Sequence, residues 1–292
     1  MQTIRDIRIR IKSIQNTKKI TESMRMIATR KVQRMRTRRE GNRPFFEQAV
    51  LSLNNVVADI NNDSELRKHP YLTQRNVKKT LILLITGDRG LCGGYNANAL
   101  REAFSLANEV GEEPDSVKII AIGTKGRDYF RRRQREVVHT LRGVSENPLY
   151  DDAQEMSEMA LEMYTTGQVD QVYLVYTEYF SMLTQTPRSK KLLPLEIPEN
   201  AENSFVKYDE PVESYFEYTV KSYLEAFILG SMLESALCMQ CARITGMDSA
   251  SKNSEKIIDN LTLHYNQMRQ GAITQEIAEI VGGANAIAQK AK

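Results

Sequence analysis

At 292 residues with 41% hydrophobic side chains, the chain can bury a sizeable core as one large domain or two modest ones. Eight prolines, 15 glycines and 26% charged residues exclude collagen-like and low-complexity classes, and three cysteines fit a reducing compartment rather than a disulfide scaffold. The formal charge of +3 hides a division: residues 1–40 carry 13 Lys/Arg against Asp6, Glu22 and Glu40, while the rest holds 27 basic against 34 acidic residues.

The first segment places Ile4, Ile7, Ile11 and Ile14 at spacings of three, four and three, the seam of a helix that packs on another helix. Ile20, Met24 and Ile27 resume the pattern after a slip in phase, so the spacing predicts one helix from about Thr3 to about Asn61, with room for a kink near Gly41 to Pro44. The cluster Asn61-Asn62-Asp63-Ser64 is expected to stop it. A basic, acid-poor start also fits a transit peptide, but the pattern runs on for dozens of residues without a small-residue cleavage region.

Short apolar runs then alternate with amphipathic stretches. Strands are expected at Thr80 to Thr86, Val117 to Ile122, Gln168 to Tyr176 and Lys191 to Ile197, the last bounded by Pro198. Helices are expected at Asn96 to Val110, Lys125 to Arg132 and Asp151 to Thr166. This alternation predicts an open, largely parallel sheet covered on both faces. None of the uncharged apolar runs, of which Leu81 to Thr86 and Ala226 to Leu233 are examples, approaches the roughly 20 residues of a bilayer span.

After Pro211 no proline occurs, and Ile258, Leu261, Tyr265, Met268 and Ala272 fall at heptad spacing. A neighbouring seam, Ile273, Ile277, Ile280, Ala284 and Ile287, carries the pattern nearly to the end. A helix from about Val212 to Ile287 is on the order of 110 Å long and the N-terminal one roughly 90 Å, so each is the natural partner of the other. The expected fold is α/β, with a long antiparallel two-helix coiled coil (1–61 and 211–292) and an inserted, Rossmann-like open sheet domain (62–210).

Catalytic signatures are weak. Gly87-Asp88-Arg89-Gly90-Leu91-Cys92-Gly93-Gly94-Tyr95-Asn96 sits where phosphate loops occur, between a strand and a helix, but Tyr95-Asn96 stands where a Walker loop needs Lys-Ser/Thr. The glycines at 87, 90 and 93 also miss the dinucleotide spacing, which favours a glycine-permitted turn with Asn96 as helix cap. Cys238-Met-Gln-Cys241 resembles a redox or half-zinc motif, but it lies within the helical pattern with only Cys92 as a further thiol, too few ligands for zinc, which favours small seam or surface residues over either chemistry. His69, His139 and His264 are dispersed. The basic helix remains, open to nucleic acid, anionic lipid or an acidic protein surface; the lack of any aromatic residue from Met1 to Arg39 argues against single-strand stacking.

The stretch Thr17-Lys-Lys-Ile-Thr-Glu-Ser-Met-Arg-Met-Ile-Ala-Thr-Arg-Lys31 resembles the N-terminal helix signature of the γ subunit of F-type ATP synthases. Ile85 to Asn96 is similar to that family's central glycine signature. Met247-Asp-Ser-Ala-Ser-Lys-Asn253 and Ala272-Ile-Thr-Gln-Glu-Ile-Ala-Glu-Ile-Val-Gly-Gly-Ala284 are similar to its C-terminal helix. The resemblance implies a central rotor shaft of a proton-translocating ATP synthase, not itself catalytic and without a cofactor or metal. Implied partners are the α and β subunits of the α3β3 ring, the ε subunit and the c-ring, with no nucleic acid. Carried over by position, Met24, Lys31, Arg269, Gln270, Thr274 and Glu276 are the expected partner-contact residues. The chain departs from the family pattern at Cys238 to Cys241 and at Gly246. The redox insertion of the chloroplast branch is not visible between Ile122 and Val169, so the resemblance implies a complex peripheral to a bacterial plasma membrane, on its cytoplasmic side.

Overall fold

The computed structural model describes residues 3–60, 66–111, 113–195 and 211–290. The Asn61–Ser64 stop signal, the boundaries at 61/62 and 210/211, and Ile197 with Pro198 therefore touch or lie outside the described residues. The elements in chain order are α1 (Ile4–Ile60), β1 (Thr80–Ile85), α2 (Tyr95–Val110), β2 (Val117–Ile122), α3 (Thr124–Arg131), β3 (Glu136–Leu141), α4 (Tyr150–Thr165), β4 (Gln171–Tyr179), β5 (Gln185–Leu193) and α5 (Val212–Lys290). Two compact units emerge, one of residues 1–27 with 244–292, the other of residues 28–243.

The first unit is a pair of antiparallel helical segments. Thr3 caps α1: its hydroxyl accepts the Asp6 N–H while the Asp6 carboxylate accepts the Thr3 N–H, at 3.2 and 3.0 Å. Three cross-pairs set the register. Arg8 donates to the Tyr265 hydroxyl, Lys18 pairs with Glu255 and the Ser251 hydroxyl donates to Glu22, and each pair of residue numbers sums to 273. The seam of α1 is Ile4, Ile7, Ile11, Ile14, Lys18 and Thr21, an unbroken heptad series with two polar members, so the expected phase slip does not occur. Ile20 and Ile27, read as seam residues, are 60% and 57% exposed. Lys18 holds a seam position by laying its apolar stem there and sending its ammonium to Glu255.

On α5 the facing seam is Met247, Ser251, Ser254, Ile258, Leu261, Tyr265, Met268 and Ala272. Among the described residues the second expected seam finds no partner. Ile273, Ile277 and Ile280 are 46%, 56% and 71% exposed, because register places Ile4 level with Arg269 and α5 continues to Lys290. About 30 Å of helix thus runs past the start of α1.

The second unit is a five-stranded sheet in the order β3-β2-β1-β4-β5. β1 pairs parallel with β2 and β4, β2 pairs parallel with β3, and β5 closes the edge antiparallel to β4. β3, Glu136 to Leu141, was not legible, and the last strand lies at Gln185–Leu193 rather than Lys191 to Ile197. Both are edge strands with charged, partly exposed side chains, and β5 tolerates Pro187 because an edge strand can leave an N–H unpaired. β1 is buried throughout. Its alternate residues Leu81, Leu83 and Ile85 join α1, α4 and α5 in one core, with Phe216, Leu224 and Ile228 among the buried residues of α5. Ile82 and Leu84 face the other way, into a core with α2 and α3. A stretch of α5 is long and apolar enough to cross a membrane, but 83% of it is buried, so its hydrophobicity serves this core. α1 runs unbroken through Pro44 and α5 through Gly246.

Candidate functional site

The six expected contact residues fall into separate places. Met24 is half-buried on α1, and register sets it level with residue 249 of α5, some 20 residues or about 30 Å from Arg269. Arg269, Gln270, Thr274 and Glu276 are all exposed, and Thr274 spends its hydroxyl on the Gln270 carbonyl at 2.9 Å. They form no mutual ion-pair row. The same overhang also exposes the apolar Ile273, Ile277, Ile280 and Val281.

Lys31 is engaged inside the second unit, where it pairs with Glu146 on the loop between β3 and α4. Glu146 also accepts from the nearly buried Arg243 at 2.9 Å, and Arg243 in turn donates to Gln240 at 2.9 Å. Burial by itself raises the Glu146 carboxyl; the Lys31 hydrogen bond and the Arg243 charge overcome that and hold it below its ordinary 4.5. This node, missed from the sequence because its members lie far apart in the chain, ties α1, the loop before α4 and α5 together.

The glycine-rich segment is a joint of the fold. Gly87 donates its N–H to the Asn96 side chain at 2.8 Å, and the same Asn96 amide donates to the Arg89 carbonyl and the Cys92 sulfur. Asn96 is therefore not the helix cap; Gly94 occupies that position without a side-chain bond, and Asn96 laces the loop from inside the first turn of α2. The Asp88 carboxylate accepts from Thr124 N–H, Gly143 N–H and the Ser145 hydroxyl, drawing three loops to one point. A Cβ at Gly87 would stand 2.9 Å from the Met239 sulfur, and Gly93, at φ +52°, lies against the Ala242 carbonyl. These glycines let α5 approach the sheet closely.

Cys92 and Cys238 pack with Tyr95 and Met239 in an apolar cluster at that contact. All three thiols are buried, which for Cys238 and Cys241 excludes the surface half of the seam-or-surface reading, and burial pushes each thiol up from the ordinary range, as it does the Tyr95 phenol. Among the described residues no group of three or more His, Cys, Asp or Glu is arranged to hold a metal ion.

The ATP synthase family model matches residues 3–287. The ATP synthase gamma chain of Alkaliphilus metalliredigens is 40% identical, with 97% of this chain and 98% of that one covered. The chain belongs to the ATP synthase gamma chain family. A further family member, the sodium ion specific ATP synthase gamma chain of Acetobacterium woodii, is 36% identical over 98% of this chain and 99% of its own. Among solved structures, the Euglena gracilis mitochondrial ATP synthase (OSCP/F1/c-ring, rotational state 3) contains a chain with this fold at TM-score 0.67 and 19% identity, covering 99% of this chain and 96% of that one. The central stalk/c-ring structure of the Tetrahymena thermophila enzyme gives 0.61 at 22% identity, covering 80% of this chain and 99% of that one. As a gamma chain, the protein serves in the central rotor of an ATP synthase.

Proposed function

We propose that this chain works as a non-catalytic rotor shaft, turned by the c-ring at the cytoplasmic face of a bacterial plasma membrane and acting on a catalytic α3β3 ring. The observation that carries the reading is the unfinished coiled coil. A helix that extends about 30 Å past its partner and exposes Ile273, Ile277, Ile280 and Val281 leaves an apolar stripe to be covered by another subunit. The basic outer face of α1 offers the same partners a complement for acidic levers on β. Met24, Arg269, Gln270, Thr274 and Glu276 are the residues we assign to ring contact. Lys31 is assigned there through its pairing with Glu146, which a lever carboxylate would compete for. The sheet domain between the two long helices would meet ε and the c-ring.

Chemistry is left to the other subunits because the one phosphate-loop-like segment is committed internally. The Gly87 and Asp88 N–H groups are already donated to Asn96 and Ser145, and no lysine follows the glycines. The purified chain should hydrolyse no ATP, and adding it to α and β should produce an active ATPase. Turnover that stays with the isolated chain through extensive purification and is abolished by Asp88→Ala would overturn the non-catalytic assignment.

A further inference from the structure

A cleft of about 520 Å³ opens within the sheet unit, between α1, α5 and β4. That volume falls in the range of small-molecule sites. Its floor is aromatic. The Phe227 ring lies 6.1 Å from Tyr176 at 83° and 5.9 Å from Phe46 at 51°, so the three faces are turned toward different directions rather than stacked. Three aromatic side chains therefore border one space, and aromatic side chains are the groups with which proteins hold quaternary ammonium ions.

The charges of the cleft agree. Glu40, Glu47 and Glu234 line it against Arg39 and Arg43, and each arginine is already paired with a glutamate of the same wall, Arg39 with Glu234 at 2.9 Å and Arg43 with Glu47 at 2.6 Å. The surplus negative charge is the exposed Glu40, while Glu234, the least exposed of the three, shares its charge with Arg39. Both hydrogen bonds to the Glu234 carboxylate, from Arg39 and from the Tyr179 N–H, fall on Oε1, which leaves its other oxygen available. Burial raises the Glu234 carboxyl, a penalty that a bound cation would relieve. An anion would meet three carboxylates and two guanidiniums that are already paired with two of them. Space is kept by Gly230, where a side chain would reach toward Asn42.

We propose that this cleft binds a quaternary or trimethylated ammonium group, with Phe46, Tyr176 and Phe227 as the cage and Glu234 as the counter-charge. Such a ligand could be a soluble choline-like cation or a choline headgroup, and both offer the same chemistry to the cage.

Titration calorimetry of the full chain with choline, against its uncharged isostere 3,3-dimethylbutan-1-ol, tests the proposal. Choline should bind at least tenfold more tightly than the alcohol. Glu234→Gln should reduce that preference, and Gly230→Leu, which fills the cleft from a helix position that favours leucine over glycine, should abolish binding while circular dichroism and melting stay close to wild type. Flotation with phosphatidylcholine vesicles that is lost in Gly230→Leu assigns the headgroup; choline binding without flotation assigns a soluble cation. Equal affinity for choline and the alcohol, no detectable choline binding, or undiminished binding by Gly230→Leu would each overturn the proposal.

Discussion

The two units of this chain are built on opposite economies. In the sheet unit, β1 and most of β2 are buried and α5 sinks a continuous apolar face, so the fold completes itself within one chain. In the coil unit, Ile7, Thr21, Ile244, Met247 and Ser254 are the buried side chains among the described residues, two of them polar, and most of the remaining seam is half-exposed. A seam this thin is a surface waiting for more protein, whereas the sheet unit is built around cores of its own. The difference teaches where self-sufficiency ends in a chain whose partners surround one part of it.

The largest effect expected is all-or-none. Cysteines replacing Ile7 and Met268 should crosslink on oxidation, and Ile7 with Ile280 should not, because the register puts residue 280 some 14 residues, or about 21 Å, beyond the level of Ile7. The native thiols are buried and should not compete. A crosslink at Ile280 would break the register and, with it, the overhang.

Hydrogen exchange should separate the units next. Amides of residues 5–21 and 255–284 should exchange orders of magnitude faster in the free chain than those of β1 and β2, since local opening there exposes little apolar surface. In the complex with α and β, the coil amides should slow to approach the sheet. Equal protection in the free chain would show the coil to be as self-supporting as the sheet.

Within the sheet unit, Glu146→Ala strands the nearly buried Arg243 and frees Lys31, and should lower stability to urea by about 3 kcal/mol. The folded Glu146 carboxyl is held below 4.5, so its contribution is complete above that pH and fades as pH falls through the folded value. The gap between wild type and Glu146→Ala should therefore be widest near neutrality and narrow in acid. A gap that is flat with pH would mean that packing, not charge, holds this node.

The smallest stability change belongs to the overhang. Replacing Arg269 and Gln270 together by Ala should shift melting by about 0.5 kcal/mol or less, since both side chains are exposed. Turnover per assembled complex should nevertheless fall several-fold if these groups bond the ring, a charge-assisted contact being worth about 1.5–3 kcal/mol. Unchanged turnover would remove this cluster from the contact surface without touching the coil itself.

Much of this architecture was legible in the chain because long helices repeat their signal many times. Ends within a residue or two of Val110, Arg131 and Thr165 came from the same patterns. The seam between Ile14 and Ile27 misled because hydrophobicity alone favours Ile20, whereas register keeps Lys18 and Thr21 inside. β3 and β5 escaped because an edge strand needs only one buried side and carries charges such as Glu136, Arg188 and Lys190. The Lys31–Glu146–Arg243 node has no local signature at all, since only folding brings its members together. For the exposed residues of the overhang, a single chain carries the pattern but not the surface that reads it.

The constant sum of 273 across the coil also constrains how such a chain can change over evolutionary time. One residue gained in the first turns of α1 would rotate every later side chain by about 100° and shift the seam off its mate. Insertions and deletions are therefore tolerable only as whole heptads or as matched events in two segments that lie at opposite ends of the gene. The sheet domain, with loops at every strand end, carries no such bond between distant lengths. Length variation among descendants of this chain should collect in those loops, and in the unpaired end of α5, where no opposite helix keeps count.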